Sequence, residues 1–91
     1  MEIREYLKEQ GIESTVILMD GMDGAFIGTT EIPNGPTLAV YSARYMVEEN
    51  MRLNKWDFDQ ALEWFEYNQK GAYVGEGTPL IVDDLEFELL D

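Results

Sequence analysis

Residues 25–42 have the sequence AFIGTTEIPNGPTLAVYS. Two largely apolar segments, 25–30 and 37–42, enclose the stretch EIPNGP, in which an Asn34-Gly35 pair lies between two prolines. An Asn-Gly pair between apolar segments is a strong short-range signal for a reversal of the chain. This stretch therefore predicts two antiparallel strands at the centre of the fold.

The residues before this pair predict a third strand and a helix. STVILM (14–19) is a short, largely apolar run with three β-branched residues, and the glycine-rich turn DGMDG (20–24) connects it to the next strand. Three strands with short connections form an antiparallel meander. The apolar spacing of residues 2–10 predicts a short helix that ends near Gly11.

After the central strands the apolar period becomes helical. Ser42 is a candidate N-cap for a helix over 43–53. Asp57, with Gln60 three residues later, predicts a capping box and a second helix over 58–69.

The segments AYV (72–74) and LIV (80–82) resemble short strands, and an acidic tail follows them. Together the elements predict one α+β domain over residues 1–91. Its expected architecture is a three- to five-stranded antiparallel sheet with two or three helices packed on one face.

The charge of the chain is strongly unbalanced. Nineteen acidic residues face six basic ones, which gives a net charge of −13 and a pI near 4.1. Residues 56–91 contain ten acids against one base, Lys70, and so carry a charge of −9. Such a surface repels nucleic acid and anionic membranes and attracts basic surfaces. We therefore expect no direct nucleic-acid binding and no membrane binding.

The composition argues against an enzyme. The chain has no cysteine and no histidine, so thiol and imidazole chemistry are absent. Neighbouring acids occur at 48 and 49, at 57 and 59, and at 63 and 66, but helix surfaces and caps explain them more simply than acid–base catalysis. The turn DGMDG lacks the alternating oxygen ligands of an EF-hand loop. We expect no catalytic residue, no metal site and no cofactor.

No apolar run approaches the roughly 18 residues that a membrane-spanning helix needs. The N-terminal stretch MEIREYLKEQG is acidic and amphipathic and is unlike a signal peptide. The expected compartment is the cytoplasm.

The helix predicted over 58–69 is the most informative feature for function. Trp64 and Tyr67 lie off its apolar stripe, and Glu63 and Glu66 flank them. Exposed aromatic residues are enriched at binding hot spots, although Trp64 can instead pack under a loop or against the N-terminal helix. Trp56 fits a hydrophobic staple or a core position. The candidate partner-binding residues are Asp57, Asp59, Glu63, Trp64, Glu66, Tyr67, Glu76, Asp83 and Asp84.

The stretch QKGAYVGEGTP (69–79) raises the alternative of a ligand-binding loop. It lacks the GK[ST] ending of a phosphate-binding loop, and its charge is negative, so turn chemistry explains its glycines well. Loops nevertheless often carry binding residues. The candidate ligand residues are Asn68, Gly71, Tyr73, Gly75, Gly77 and Thr78.

Three segments together carry a resemblance. They are DGMDGAFIG (20–28), LAVYS (38–42) and WFEYNQKGAYVGEGTP (64–79). In this order they resemble a group of small proteins encoded by tailed bacteriophages and by bacterial genomes, a group with no settled activity. The resemblance covers residues 15 to 82, and it implies a phage or prophage origin without supplying a mechanism.

Three functional hypotheses follow. The first is a phage-type protein, acting in the host cytoplasm, that binds and inhibits a basic host protein of nucleic-acid handling or defence by mimicking the charge of nucleic acid. The second is a protein that binds or sequesters a small molecule, such as a nucleotide, with the 71–79 loop, in one chain or across a homodimer. The third is an assembly or regulatory module that acts through protein contacts without mimicry.

Overall fold

The computed structural model describes residues 3–12, 15–73 and 75–85. Its elements are helix α1 (Ile3–Glu9), strand β1 (Phe26–Glu31), strand β2 (Thr37–Ser42), helix α2 (Ala43–Asn54), helix α3 (Phe58–Trp64) and strand β3 (Leu80–Val82). A 3-10 turn, Asp23–Ala25, precedes β1, and a π-helical turn, Phe65–Gln69, continues α3. The α+β class predicted from the sequence is confirmed.

The central hairpin forms as predicted. β1 and β2 pair antiparallel, with Thr29 opposite Ala39. At the reversal the Gly35 N–H donates to the Ile32 carbonyl at 2.8 Å, and Asn34 has a φ of 58°, as a turn with Pro33 before it allows.

A β-bulge interrupts the hairpin near its open end. Phe26 pairs with Tyr41 and Gly28 pairs with Val40, so Ile27 is the extra residue. Gly28 adopts a φ of 152°, which side chains with a Cβ rarely tolerate. The aromatic rings of Phe26 and Tyr41 meet edge to face, with centroids 5.8 Å apart.

The expectation of a wholly antiparallel sheet is wrong. The strand order is β1-β2-β3, and β3 pairs parallel with β2, with Tyr41 opposite Ile81. The reason lies in the connection, because α2 and α3 lie between these two strands and carry the chain back, so that β3 runs in the same direction as β2 beside its last three residues. Parallel neighbours need such a crossover, whereas antiparallel neighbours are joined by a tight turn.

The prediction of a strand over 14–19 is also wrong for residues 15–19, the part that the structure describes. Residues 15–19 form an irregular segment, and Ser14 lies outside the described residues. Val16 is buried and the Met19 N–H donates to the Tyr41 hydroxyl at 2.8 Å, so the segment fills the core without joining the sheet. A short apolar run indicates burial but does not by itself distinguish a strand from another buried segment. Burial raises the pKa of Tyr41.

The strand predicted over 72–74 is likewise absent in the part that the structure describes. Ala72 and Tyr73 have no regular secondary structure, and Val74 lies outside the described residues.

One apolar cluster joins the helices to the sheet. Ala39 and Tyr41, which lie on one face of β2, are fully buried. All three helices contribute to the same cluster, as does the π-turn. Its buried members are Ile3, Leu7, Val16, Met22, Ala25, Ala39, Tyr41, Ala43, Met46, Val47, Ala61 and Phe65. None of the helices in the described part of the chain is long and apolar enough to cross a membrane.

A polar network ties the chain after β3 to the start of α2. The Ser42 hydroxyl caps α2 by accepting from the Tyr45 N–H at 3.1 Å, and it donates to Asp84 Oδ2 at 2.5 Å. Asp84 Oδ1 accepts from the Arg44 N–H at 2.8 Å. The carboxylate therefore accepts a hydrogen bond from an N–H of the first helical turn and lies at the positive end of the helix dipole.

The pKa of Asp84 gives a test of this network. Burial alone raises the pKa, but the hydrogen bonds from Ser42 and Arg44 outweigh it, and the pKa lies below the ordinary value of 3.8. A depressed folded pKa means that the stabilisation is present above the unfolded value and is lost as the pH falls through the folded value.

We expect Asp84→Asn to lower the free energy of unfolding at pH 7 by about 1 kcal/mol. This value lies at the low end of the range for hydrogen bonds to a charged group, because the carboxylate is partly solvated. The difference from the unmodified protein should shrink below about pH 3.8. Urea unfolding at several pH values measures it. Asp83→Asn makes the same charge change at an exposed neighbour, and an equal, pH-independent loss in both variants would contradict the assignment.

Candidate functional site

Helix α3 begins at the capping box that the sequence predicts. The Asp57 side chain accepts from the Gln60 N–H at 2.9 Å, and the Gln60 side chain accepts from the Asp57 N–H at 3.2 Å. Ala61 in the helix and Phe65 in the turn after it are buried. Because these two residues face the core, the opposite side of α3 faces solvent.

The solvent side of α3 and its π-turn carries acidic and aromatic side chains together. Asp59, Glu63 and Glu66 are exposed, and each lies about 6 Å or less from the next along the helix axis. Trp64 is 44% exposed and Tyr67 is 83% exposed. We call this set, with its members Asp59, Glu63, Trp64, Glu66 and Tyr67, the acidic face.

The carboxylates of the acidic face form no ion pair among the residues that the structure describes. The ion pairs that it shows lie on α2, where Arg44 approaches Glu48 at 3.3 Å and Arg52 approaches Glu49 at 2.5 Å. No lysine or arginine of the described chain pairs with the three carboxylates of the acidic face. Their charge is therefore directed at solvent.

Trp56 and Trp64 lie together at one end of the acidic face. Their ring centroids are 5.5 Å apart and the ring planes are tilted by 53°. Trp56 is half-buried against the core, in agreement with the expected staple or core role, but it also lines a surface depression of about 360 Å³. We call this depression the aromatic cleft; it is lined by Trp56, Gln60, Glu63, Trp64, Tyr67 and Asn68.

The predicted helix over 58–69 is not α-helical throughout. It changes to a π-turn at Phe65, and the Lys70 N–H donates to the Phe65 carbonyl at 2.8 Å. Within this turn Gln69 Oε1 accepts from Nδ2 of Asn50, a residue of α2 that is 2% exposed. π-helical turns occur frequently at functional sites, and this one directs Gln69 and Lys70 to a second concavity.

The second concavity, the apolar cleft, has a volume of about 560 Å³. Its walls are the segments 17–20, 69–73 and 78–81, together with single residues that include Met22, Phe65 and Asp83. Most of these side chains are apolar. Asp20 and Asp83 contribute carboxylates, and Lys70 is the one base among the described lining residues.

The predicted ligand residues are divided between these features. Gly71, Tyr73 and Thr78 line the apolar cleft, and Asn68 lines the aromatic cleft. Gly75 and Gly77 lie outside both linings. Gly75 has a φ of 109°, and a Cβ at Gly77 would lie 2.9 Å from Ile17 Cδ1, so these glycines serve the turn and the close approach of Ile17.

The predicted partner-binding residues are divided as well. Five of them form the acidic face. Asp57 is the N-cap of α3, Asp84 belongs to the network at the start of α2, Asp83 lines the apolar cleft, and Glu76 is exposed in the loop.

Sequence reasoning missed Trp56 as a surface residue and Gln69 and Lys70 as cleft residues. The signal for Trp56 was its position directly before the N-cap of α3, which brings its ring back over the helix. The π-turn that places Gln69 and Lys70 has no comparable signal in the sequence.

Comparison with protein-family models, with curated proteins and with solved structures finds no match for this chain. Among the described residues, no three carboxylates come together in an arrangement that could hold a metal ion. The functional argument therefore rests on the two clefts and the acidic face.

The bond between Asn50 and Gln69 is predicted to hold the π-turn in place. We expect Gln69→Ala to lower the free energy of unfolding by about 1–2 kcal/mol, because the buried amide of Asn50 loses its acceptor. Asn68→Ala is the matched control, since Asn68 is exposed and its side chain donates only to the Trp64 carbonyl one turn earlier. Chemical denaturation measures both variants, and equal losses would show that the bond adds nothing.

Proposed function

We propose that this protein is a phage- or prophage-encoded binding protein that occupies the basic, nucleic-acid-binding surface of a host protein and so inhibits it. The observation that carries the proposal is the acidic face, where three exposed carboxylates that form no ion pair with the described residues share one side of a helix with two exposed aromatic rings.

The charge supports this class of partner. A basic cleft that normally holds phosphates attracts any rigid array of negative charge. The carboxylates of the acidic face lie on a helix that is capped at its start and buried along its other side, so the backbone that carries them is held before binding. Preorganisation of this kind reduces the entropy lost on association.

The aromatic rings support a stable complex over a purely electrostatic encounter. Exposed ion pairs contribute only about 0.2–1 kcal/mol each and weaken with salt. Buried aromatic anchors contribute more, and they are enriched at the centres of protein interfaces. Trp64 and Tyr67 lie among the carboxylates, where a partner that neutralises the charge would also cover the rings.

The test begins with capture from a bacterial lysate at low salt. We expect a basic, nucleic-acid-binding protein that is released by competing DNA or RNA. It should also be released by roughly 0.5 M salt, at which screening limits the attraction between charges to a few ångströms. With the purified partner, we expect the triple variant Asp59→Asn, Glu63→Gln, Glu66→Gln to bind about tenfold more weakly or worse.

A triple variant elsewhere on the surface controls for net charge. Glu5→Gln, Glu9→Gln and Glu31→Gln remove the same charge from exposed positions outside the acidic face. Equal weakening in both triple variants would contradict a specific face. Binding that resists salt and neutralisation would indicate an assembly or regulatory module instead.

The apolar cleft favours a second candidate function, the binding or sequestering of a small molecule such as a nucleotide. Its volume of about 560 Å³ lies within the range of roughly 300–1,000 Å³ that is common for small-molecule sites. The apolar walls suit a base, and Lys70 supplies one positive charge at the lining, next to Gly71 of the loop.

Thermal unfolding in the presence of nucleotides tests this candidate. We expect a bound nucleotide to raise Tm in a saturable way, because a ligand that binds only the folded state adds RT ln(1 + [L]/Kd) to stability. Lys70→Gln should reduce the rise, whereas Lys55→Gln, at the C-terminal end of α2, should not. An unchanged Tm with all nucleotides would exclude this function.

A further inference from the structure

The aromatic cleft has the composition of a cation site. Three of its six lining residues are aromatic, and a fourth, Glu63, is a carboxylate. The two tryptophan rings are tilted by 53° and do not stack face to face, and Trp64 remains 44% exposed. Part of the ring surface is therefore free for another group.

The electrostatics of the cleft select a positive charge. Aromatic faces carry negative potential and attract cations within about 6 Å of the ring centroid. The Glu63 carboxylate adds a full negative charge, and the described lining contains no lysine or arginine to occupy the rings from within the chain.

The polar groups select among cations. The side-chain N–H of Asn68 donates to the Trp64 carbonyl, which leaves the Asn68 side-chain oxygen as an acceptor. With the Glu63 carboxylate, the cleft thus offers hydrogen-bond acceptors beside flat rings. A quaternary ammonium has no N–H to donate, and a lysine ammonium is compact and strongly hydrated. A guanidinium is planar, weakly hydrated, stacks on aromatic rings and donates in a fork that matches a carboxylate.

We propose that the aromatic cleft is a binding site for the guanidinium group of an arginine side chain. This inference deepens the proposed function, on which the identity of the arginine as a partner residue rests. In the complex the guanidinium lies between Trp56, Trp64 and Tyr67 and donates to Glu63. One arginine of the basic partner is thereby bound at a defined place, which adds specificity to the general attraction of the acidic face.

A small probe tests the site without the partner. The chain has two tryptophans and both line this cleft, so all tryptophan fluorescence and both indole N–H NMR signals report on it. At constant ionic strength we expect N-acetyl-arginine amide to give a saturable change in these signals. N-acetyl-lysine amide and tetramethylammonium should bind more weakly, and N-acetyl-glutamine amide should cause no saturable change.

Two matched pairs of variants locate the site. Glu63→Gln should weaken binding of the arginine probe about threefold or more, whereas Glu31→Gln, with the same charge change at an exposed position of β1 outside the cleft, should have little effect. Tyr67→Ala should weaken binding, whereas Tyr45→Ala, which removes an exposed ring on α2 outside both clefts, should not.

Each of the other outcomes contradicts the inference. Absence of a saturable signal change, tighter binding of tetramethylammonium than of the arginine probe, or equal effects within either pair of variants would overturn the assignment. Circular dichroism confirms that each variant folds, and Trp64→Phe, which keeps a ring, should retain part of the affinity. If the probe binds but no basic partner is captured, the guanidinium site stands and the proposed function fails. If a basic partner is captured but the probe does not bind, the proposed function stands and the guanidinium site fails.

Discussion

The hydrogen bonds between Asp84 and the first turn of α2 determine how the two halves of the chain fit together. The carboxylate accepts from Ser42, which ends β2, and from the backbone of Arg44. It thus holds the residues after β3 against the end of β2, which is the register in which β3 pairs parallel with that strand. The apolar cleft depends on this arrangement, because Leu80 and Ile81 of β3 form part of its wall opposite the π-turn.

The distribution of charge differs between the two neighbouring helices α2 and α3. On α2 the acids Glu48 and Glu49 lie within reach of arginines three or four residues away, so the helix neutralises much of its own charge. Helix α3 has acids and no bases, and the repulsion among the acids lowers the stability of the folded chain. Positive charge brought to α3 by a partner would reduce this repulsion, and the reduced repulsion would add to the free energy of binding.

The sequence predicted those elements whose signals are local. The hairpin around Asn34-Gly35, the Ser42 cap and the Asp57–Gln60 capping box each depend on residues within a few positions of one another, and all are present. The sequence does not predict the parallel pairing of β3 because this pairing joins residues forty positions apart, Val40 with Leu80, across two helices. The apolar run 14–19 predicts a strand because it indicates burial, but the sequence gives no sign of the hydrogen bond from the Met19 N–H to Tyr41. The acidic face was predicted in large part, whereas the aromatic cleft required the contact between Trp56 and Trp64.

The bulge at Ile27 has a consequence for the behaviour of the protein in solution. β1 is an edge strand, and a long regular edge offers unpaired N–H and C=O groups on which a second chain can add. A bulge increases the local twist and breaks the even spacing of those groups. Ile27, half exposed at this point, therefore lies where strand-to-strand stacking of copies is disfavoured. The net charge of the chain and this bulge thus both disfavour association of copies. The effect of the bulge persists when salt screens the charge.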